Sequence, residues 1–588
     1  MKRDDFLKMG ALTIAAPFFN SALAKMTTGN ENFYDDDILH RLVTANDKQV
    51  GGLLQSVNED SVTFSRRVGY DFAVLTASYC FPDSAYYHNP DIISKLEIIT
   101  KVLTNHQSAD GTVNIGNLES PPDTAFLVEP LSAGAYLLAK DHSKELSTVN
   151  ESIKLFLLKA GDGLTTGGVH TPNHRWVICA ALARLNALYP AKKYLDRIAQ
   201  WMGEGIFMDN DGHYPERSAL YGGVENNSLI TMARLLNKPF LFEQVRKNLD
   251  MTWYYLEPNG DLVTTDSRRQ DQYIGKRVTS YYLHYRYLAI RDNNKTFAGI
   301  ARLIENIEGF EKEILDRSLF QFMENSLLQK EMPQPVLPSV NYEKLFPTSH
   351  LLRIRRDKTT TTLFGGVDWP LIIASGRSDS PNFFSYRKGN AILKYMRLSS
   401  GFFSTGYFYS EGLEKKGNIY KLHKKLTVPY YQPLPADKRN TKGDYTLSPS
   451  IDDRFWNKMD FKNRPVSNTK DLETTITLVE SNGSNELSIR VHGLAGVPVT
   501  IEFCFKEGGN LSGVTAPDSK GNCFLEKGVG TYEFGGDTIR FGPGGVVSKE
   551  INALEGERYS THFGSLRTEG MHVFITGVTP FEHRLTIS

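Results

Sequence analysis

The hydrophobic pattern of this 588-residue chain changes once, near residues 332–347. Before that region, apolar residues recur at helical spacing, as at Val177, Ala181 and Leu185. Beyond it, apolar and polar residues alternate, as in residues 499–505, which is typical of half-buried strands. Four prolines between 333 and 347 predict a linker at the change. The chain is therefore expected to hold two domains of different structural class.

The first part predicts helices separated by loops rich in Gly, Asp, Asn and Pro, which favours an all-α toroid of helical hairpins. The second part predicts a large antiparallel β-sandwich. The expected fold class is thus α+β multidomain, with an (α/α) toroid in residues 25–335 and a sandwich in 336–588. The clearest predicted helices are residues 92–103, 124–138, 152–159, 173–188, 194–202, 227–236, 241–251 and 278–291; the clearest strands are 475–479, 487–491, 499–505 and 572–575.

The N-terminus is typical of an export signal. Lys2 and Arg3 precede an apolar run at residues 9–19, and Ser21-Ala22-Leu23-Ala24 ends in a small-x-small pattern. We therefore expect a signal peptide of residues 1–24 and a protein of the bacterial periplasm or exterior. Asp4 stands where a twin-arginine signal has its second arginine, so the export route stays open. No later segment approaches the ~20 apolar residues of a membrane span.

Charge and cysteine content exclude some classes of partner. Lys+Arg and Asp+Glu number 67 each, so no net field indicates nucleic acid or an anionic membrane surface. The cysteines form no CxxC and show no zinc-ligand spacing. Cys504 and Cys523 fall in the same C-terminal region and could pair in an oxidising compartment. We expect no cofactor; a structural divalent metal ion stays open, as does the oligomeric state.

One helix start looks suited to binding a carboxylate. Thr171 is a good N-cap and Pro172 suits the first helical position. Asn173, His174 and Arg175 then fall in the first turn. Free backbone N–H groups and the positive end of the helix dipole make such a turn an anion site. An amide, an imidazole and a guanidinium there predict recognition of a carboxylate.

A second motif follows about forty residues later and carries a family resemblance. Asp211, Gly212, Glu216, Ser218 and Tyr221 have the form Asp-Gly-x-x-x-Glu-x-Ser-x-x-Tyr. This stretch resembles the heparinase II/III-like polysaccharide lyases and the wider set of α/α-toroid lyases. The resemblance implies a toroid followed by a sandwich, and a lyase acting on uronate-containing glycans.

The resemblance also implies roles for individual residues. Tyr221 falls on the family's catalytic tyrosine, and Asn173 with His174 on the residues that neutralise the substrate carboxylate. Ala219 stands where the family often has proline, so the subfamily stays open. His174, His213 or Tyr214 could share or take the role of base.

The expected chemistry is β-elimination. Removing the C5 proton of a uronate gives an enolate-like dianion, so the carboxylate charge must first be neutralised. A base then takes that proton, and an acid protonates the oxygen that leaves C4. A tyrosine can serve as both, with its phenolate stabilised by nearby positive charge. The product would carry a 4,5-unsaturated uronosyl end.

Further polar residues are candidates for substrate binding rather than chemistry. Paired arginines suit anionic sugars, and a carboxylate can orient or brace a site. A histidine from the sandwich could reach over the cleft. These substrate-binding candidates, with Arg175, are Asp123, Glu216, Arg268, Arg269 and His423.

Two other functions remain open at this point. An unsaturated glucuronyl hydrolase on a similar toroid would need a carboxylic acid, such as Asp123, Glu216 or Asp211. A glycan-binding protein on a lyase scaffold would bind uronates without turnover. The glycan is also open: alginate, glycosaminoglycans, ulvan and glucuronate-capped plant gums all carry the required group. Endo or exo action is not decided by the sequence.

Overall fold

The computed structural model describes residues 34–58, 62–272, 275–373, 376–452, 455–551 and 568–588. The expected signal peptide, residues 1–24, lies outside these described residues. Within them, no helix is both long enough and apolar enough to cross a membrane. By their contacts, the described residues form two compact units. The helical unit runs to Ile206 and adds Gly223–Leu249 and Val278–Pro338; the sandwich unit comprises Phe207–Gly222, Asp250–Arg277 and Ser339–Ser588.

Thirteen α-helices lie in the described residues. Each of the eight predicted helices coincides with one of them, but two predicted starts were wrong. The helix predicted from 227 begins at Ala219, and the one predicted from 278 begins at Tyr282, because Val278–Tyr281 form a 3₁₀ helix. They are α1 (Asp36–Ser56), α2 (Arg67–Cys80), α3 (Pro90–Asn105), α4 (Pro121–Leu138), α5 (Ser147–Thr166), α6 (Pro172–Leu188), α7 (Lys192–Met202), α8 (Ala219–Leu235), α9 (Phe242–Tyr255), α10 (Tyr282–Arg291), α11 (Lys295–Glu305), α12 (Phe310–Glu313) and α13 (Leu319–Glu324).

The helical unit has an inner and an outer layer. Helices α2, α4 and α6 pack against one another in turn and are buried over most of their length. Helices α3 and α7 instead bury one stripe, which in α7 consists of Tyr194 and Ile198. In a double layer of helical hairpins, the inner helices are buried on all sides and the outer helices bury only the face that contacts the inner layer. This arrangement confirms the predicted helical toroid.

A buried ionic network joins helix α1 to helices α10 and α11 of this unit. Asp35, the N-cap of α1, accepts hydrogen bonds from Arg286 Nη1 at 3.0 Å and Arg302 Nη2 at 2.9 Å. Arg286 is fully buried and also donates to the Leu328 and Lys330 carbonyls. The two ends of the helical unit are therefore bonded together.

Most strands of the sandwich unit form two large sheets, which are antiparallel except for one parallel pair. The first two strands of the described residues instead form a small sheet in the helical unit. The strands are β1 (Val113–Ile115), β2 (Asn117–Ser120), β3 (Asp261–Leu262), β4 (Lys276–Arg277), β5 (Asn341–Phe346), β6 (Leu351–Arg356), β7 (Thr359–Phe364), β8 (Val367–Ile373), β9 (Gly376–Asp379), β10 (Phe384–Lys388), β11 (Ala391–Ser400), β12 (Gly406–Tyr407), β13 (Leu413–Lys416), β14 (Ile419–Tyr431), β15 (Ser448–Pro449), β16 (Trp456–Asn457), β17 (Val466–Ser481), β18 (Ser484–Gly493), β19 (Pro498–Phe505), β20 (Asn510–Ser512), β21 (Asn522–Phe524), β22 (Gly530–Phe534), β23 (Asp537–Gly542), β24 (Met571–Val578) and β25 (Phe581–Ile587).

The sandwich core follows the period of two in each strand. One sheet has the order β21-β24-β19-β11-β10-β7-β6-β5, with β12 beside β11, and the other β13-β14-β17-β18-β25-β23-β22-β20. In β19, Ile501 and Phe503 point into the shared core, whereas Glu502 and Cys504 lie on the opposite face. The predicted β-sandwich is thus confirmed.

Two segments from the helical half of the sequence pack with the sandwich unit through polar contacts. Asp211 Oδ2 accepts the backbone N–H groups of Thr348 and Ser349 at 2.8 and 3.0 Å. The buried Arg353 Nη1 pairs with Glu257 Oε1 at 3.0 Å. The predicted linker, 332–347, was wrong in part, because its residues Asn341–Phe346 form β5 and pair with β6. None of its four prolines falls within that strand, so its hydrogen bonds are not interrupted.

The cysteine pairing considered from the sequence is not formed. All four cysteines are free. Strand β24 lies between β19, which carries Cys504, and β21, which carries Cys523. Two strand spacings, roughly 9–10 Å, exceed the reach of a disulfide.

Candidate active site

The motif residues of the sandwich unit form a rigid start for helix α8. Arg217 adopts φ +47°, and its N–H is bonded to the Tyr214 carbonyl at 3.0 Å. After this turn, Ser218 Oγ accepts the Tyr221 N–H at 3.1 Å, as an N-cap does. Asp271 Oδ2 accepts both the Ser218 hydroxyl at 2.9 Å and the Leu220 N–H at 3.2 Å. Tyr221 therefore sits in a first helical turn that is fixed from two sides.

The side chain of Tyr221 meets a cation and an amide. The Arg269 guanidinium carbon lies 4.0 Å from the ring centre, within cation–π range. Gln270 Nε2 donates to the Tyr221 hydroxyl oxygen at 2.8 Å. Arg269 is itself paired with Glu216, and the two residues are only 5% and 3% exposed. The Gln270 amide thus bonds the phenol oxygen, while the Arg269 charge lies over the face of the ring.

Glu216 and Arg268 brace this arrangement. The Glu216 carboxylate holds Arg269 beside Tyr221. The Arg268 N–H donates to the Glu216 carbonyl at 3.0 Å, and its Nη1 donates to the Pro215 carbonyl at 2.9 Å. Of the residues predicted for the site, the structure thus brings Tyr221, Glu216, Arg268 and Arg269 together in one unit.

The other motif residues serve a tight turn. Gly212 adopts φ +99°, a conformation that favours glycine. Asp209 Oδ1 accepts the N–H groups of Asp211 and His213 at 3.0 and 2.9 Å. Burial opposes the charge of Asp209, yet His213 and Arg217 outweigh it and lower the pKa of this carboxyl.

His213 and Tyr214, the competing base candidates, are both buried. The His213 ring nitrogens lie 3.5 Å from Asp209 and 3.7 Å from Asp266. Burial raises the pKa of Asp266, whose Oδ2 also accepts the Tyr255 hydroxyl at 2.7 Å. Tyr255 in turn has its pKa raised well above its ordinary value by burial and by Asp266.

The ligand atoms of Asp209, Asp211 and His213 lie within 4.8 Å of one another, so we tested this trio as a metal site. The Asp211 carboxylate already accepts two backbone N–H groups. Asp209 accepts two more and lies 3.7 Å from the Arg217 guanidinium. Both carboxylates are therefore occupied by protein hydrogen bonds, and an arginine already supplies a positive charge beside Asp209. These contacts indicate that the trio stabilises the turn, and no step of the reaction is assigned to a metal.

In the helical unit, Asn173 and His174 occupy the first turn of α6, as predicted. Asn173 is fully buried and its Nδ2 donates to Thr171 Oγ1 at 3.4 Å. The His174 ring lies edge-on to Phe126 of α4, with centroids 6.2 Å apart, and edge-on to His170 at 4.9 Å. Thr171 stands at the N-cap position but makes no side-chain cap bond.

Three further predicted residues make protein contacts. Arg175 lies over the Trp176 ring and donates to Glu204 Oε2 at 2.7 Å. Asp123, in the first turn of α4, accepts Arg66 Nε at 2.9 Å and the Ser120 hydroxyl at 2.6 Å. His423 lies on β14, where its Nε2 is 2.9 Å from Glu473.

Sequence reasoning missed three residues that the structure places beside the candidates. Gln270 follows the arginine pair directly, and Arg66 precedes helix α2 in a second arginine pair. Those pairs were the available signal. Phe126 carried none, because a core aromatic and a site aromatic look alike in sequence.

No family model matches the chain, and no curated protein of similar sequence was found. Solved structures of similar fold were found. The chondroitin AC lyase of Streptomyces coelicolor A3, in complex with chondroitin sulphate, matches 99% of this chain and 82% of its own, at 12% identity and a TM-score of 0.54. Paenibacillus xanthan lyase matches 100% of this chain and 59% of its own, at 10% identity and a TM-score of 0.54.

The heparinase III product of BT4657 matches 99% of this chain and 88% of its own, at 11% identity and a TM-score of 0.50. The chain has a polysaccharide lyase fold. This agrees with the family resemblance carried by residues 211–221 and with the predicted order of helical and sandwich domains. At 10–12% identity the likeness is one of fold, and activity has to be argued from the residues.

Proposed function

We propose that the protein is a polysaccharide lyase that cleaves the glycosidic bond at C4 of a uronic acid by β-elimination. The observation that carries the proposal is the setting of Tyr221, whose hydroxyl oxygen accepts from Gln270 while Arg269 lies over its ring. An amide that donates to the phenol oxygen and a guanidinium over the ring are the surroundings expected of a tyrosine that takes up and returns a proton. The polysaccharide lyase fold supports the same reaction class.

In the proposed reaction, the Tyr221 oxygen takes the C5 proton of the uronate. The electrons of the C5–H bond form the C4–C5 double bond, and the C4–O bond breaks. The oxygen that leaves C4 receives a proton, which Tyr221 can return from the hydroxyl it has just formed. No water is consumed. His174 is the alternative partner for one of the two proton transfers.

The carboxylate has to be neutralised before C5 can lose its proton. We assign this role to Asn173 and His174 in the first turn of α6, where the positive end of the helix dipole favours an anion. Preorganised donors of this kind contribute about 3–4 kcal/mol each to the transition state. Arg175 adds positive charge at the same helix end, although Glu204 shares it.

The hydrolase alternative is disfavoured by the contacts that the candidate carboxyl groups already make within the protein. A hydrolase needs a carboxylic acid free to give its proton to the leaving oxygen. Asp123 is bound by Arg66, and Glu216 by Arg269. Asp211, the third candidate, accepts the backbone N–H groups of Thr348 and Ser349. We therefore keep the lyase, with a uronate-containing polysaccharide as substrate and export from a bacterial cell as its setting.

The test is an assay of the purified protein against alginate, chondroitin, heparan sulfate, ulvan and a glucuronate-capped gum. Ultraviolet absorbance reports the conjugated double bond, and a reducing-end assay reports any cleavage. Tyr221→Phe is expected to lower kcat by about 10³-fold, since general acid–base groups contribute roughly 10²–10⁴. Asn173→Ala should lower it by about 10²–10³-fold. Tyr430→Phe, at an exposed tyrosine of the sandwich, is the matched control.

The outcomes of this assay distinguish a lyase from a hydrolase and from a glycan-binding protein. Absorbance that rises with one glycan and is lost in Tyr221→Phe but kept in Tyr430→Phe supports elimination. New reducing ends without absorbance would overturn it in favour of hydrolysis. Binding without any cleavage would point to the glycan-binding protein.

A further inference from the structure

Three helix N-termini meet at one end of the helical unit. Arg66, directly before α2, contacts Asp123 and Phe126 near the start of α4. Phe126 in turn contacts His174 in the first turn of α6. Because α2, α4 and α6 also pack side by side, their positive dipole ends lie together. Arg66 places a cationic side chain against the start of α4.

Arg66 is held in place more firmly than a surface arginine. Its Nε and Nη2 both bond to Asp123 Oδ1, and its guanidinium carbon lies 4.2 Å from the centre of the Phe126 ring. Asp123 is almost fully buried, and its other oxygen accepts the Ser120 hydroxyl at 2.6 Å and Asn117 Nδ2 at 3.2 Å. One edge and one face of the guanidinium are thus fixed.

The rest of the guanidinium is open. The Arg66 side chain is 46% exposed although its partner Asp123 is only 2% exposed. A guanidinium has five N–H donors, and Asp123 uses those of a single edge. The Nη1 edge is left to meet solvent or a ligand. An arginine whose conformation is already fixed loses little entropy when it binds, which is the usual advantage of preorganisation.

Other groups around the Phe126 ring also favour an anion. The His174 ring contacts Phe126 edge-on, and His170 contacts His174 in the same way, close to the positive end of the α6 dipole. Asp123 is the carboxylate in contact with Arg66, and its charge is matched by that contact. A planar fork of this kind binds carboxylates and sulfate esters with two parallel hydrogen bonds.

We propose that Arg66 binds an anionic group of the polysaccharide, a carboxylate or a sulfate ester, beside the position that His174 serves. Asp123 is then a positioning residue that orients Arg66, rather than a group that touches the sugar itself. This inference rests on the proposed function for its ligand class. It adds a subsite to it, because a chain of uronates presents an anion at more than one sugar.

Binding is measured in the Tyr221→Phe background, so that turnover does not interfere, by calorimetry with oligosaccharides of unsulfated and sulfated chondroitin and of alginate. Arg66→Gln is expected to weaken the best of these ligands by about 10–100-fold, the loss of a charge-assisted pair. The affinity of the Arg66→Gln variant should also depend less steeply on salt concentration than that of its parent. Arg67→Gln is the matched control, since Arg67 is adjacent, 59% exposed and paired with Asp71 at 3.4 Å.

Arg66→Gln leaves the buried Asp123 without its cation and could weaken binding by destabilising the fold. The double variant Arg66→Gln/Asp123→Asn removes that buried charge as well, so it controls for an effect on folding. Asp123→Asn alone should weaken binding less than Arg66→Gln, because the arginine stays but is free to move. Arg66→Lys should restore only part of the affinity, since it keeps the charge and loses the fork.

Each outcome decides the matter. Loss of affinity for both chondroitins assigns a carboxylate to Arg66, and loss for the sulfated form alone assigns a sulfate ester. Unchanged affinity in both Arg66→Gln and the double variant overturns the inference, as does the absence of binding to every glycan. If ligands bind through Arg66 and no unsaturated product ever appears, the proposed lyase activity fails while the subsite stands.

Discussion

The guanidinium carbon of Arg269 lies 4.0 Å from the centre of the Tyr221 ring. Its position is set from below by Glu216, with which it forms a buried ion pair. The charge therefore cannot swing away from the phenol as a surface arginine would. The three side chains thus form one cluster: Glu216 holds Arg269, and Arg269 lies over the ring of the candidate base, Tyr221.

We expect Arg269→Met to lower kcat by about 10²-fold, as the loss of one preorganised electrostatic group does. KM should change less, because Arg269 acts on the tyrosine and is too buried to hold the sugar. Arg269→Lys should recover part of the rate, since it keeps the charge but not the stacking. Initial rates at saturating substrate measure both variants, and circular dichroism checks that they are folded.

Arg490→Met is the control for this experiment, because Arg490 forms only an exposed pair with Glu582. Its kcat should equal that of the parent protein. An Arg269→Met enzyme with unchanged kcat would show that the stacked guanidinium has no part in catalysis.

Much of the fold could be predicted because periodicity reports burial. Residues 173–188 and 499–505 were assigned correctly as helix and strand on that basis, and Pro172 fixed one boundary. The linker was harder to predict, because prolines mark a break in regular structure without saying where the next strand begins. Residues 341–346 form β5 between two such prolines.

The candidate site was predictable in its residue types and not in its contacts. Tyr221 and Glu216 stood out by the motif, and the Arg268–Arg269 pair by its charge. That Arg269 would pair with Glu216, and Asp123 with Arg66, depends on partners more than fifty residues away in sequence. Local patterns carry no information on such pairs, so both residues were taken for substrate contacts.

A second prediction concerns the stability of the helical unit. Glu324 is buried between Arg184 and Arg234, at 2.7 and 2.6 Å. Burial opposes its charge, but the two arginines lower the pKa of Glu324 to about 2. Glu324→Gln removes the carboxylate charge that faces the buried Arg184 and the half-buried Arg234. Arg184 keeps Glu129 at 3.6 Å, and the free energy of unfolding should fall by about 3 kcal/mol, the lower end of the cost of breaking a buried pair. Urea unfolding near neutral pH measures the loss.

The sign of the pH effect follows from this depressed pKa. The stabilising contribution of Glu324 is present above its ordinary pKa of ~4.5 and is lost as the pH falls through about 2. The difference between parent and Glu324→Gln should therefore shrink only in strong acid. Glu243→Gln, at an exposed glutamate, should change stability by less than about 1 kcal/mol. Equal losses in the two variants would contradict the buried network.

A third prediction concerns alkaline pH. His572 Nδ1 lies 2.8 Å from Glu502 Oε1, and its Nε2 donates to the Thr568 carbonyl at 3.0 Å. Burial opposes the positive charge, but the hydrogen bonds of His572 with Cys504 and Glu502 and the nearby Glu502 carboxylate raise the pKa of His572 to about 9. This contribution to stability is complete below the unfolded value of ~6.5 and is lost as the pH rises through about 9.

The parent protein should therefore lose stability between about pH 6.5 and 9, and His572→Gln should show a flatter profile over the same window. Thermal unfolding across that window measures it. His492→Gln, at an exposed histidine near Glu582, serves as control and should keep the slope of the parent. A parent protein equally stable at both ends of the window would rule out a charged His572.

The last prediction concerns how Tyr221 is aimed. Ser218 Oγ accepts the Tyr221 N–H, and its hydroxyl donates to Asp271, which also accepts the Leu220 N–H. Ser218→Ala removes the cap and should cost about 1 kcal/mol of stability, with Asp271→Asn costing a similar or larger amount. Because both act through one network, their effects on unfolding should be coupled by roughly 0.5–3 kcal/mol in a double-mutant cycle.

The same cycle carried out on kcat tests whether this network serves the tyrosine. If it orients Tyr221, each single variant lowers kcat while substrate affinity is kept, and the double variant loses less than the product of the two single losses. Placed in the Tyr221→Phe background, the substitutions should no longer change the residual rate, since there is no hydroxyl left to aim. Undiminished effects in that background would mean that Ser218 and Asp271 act on the site by a route other than Tyr221.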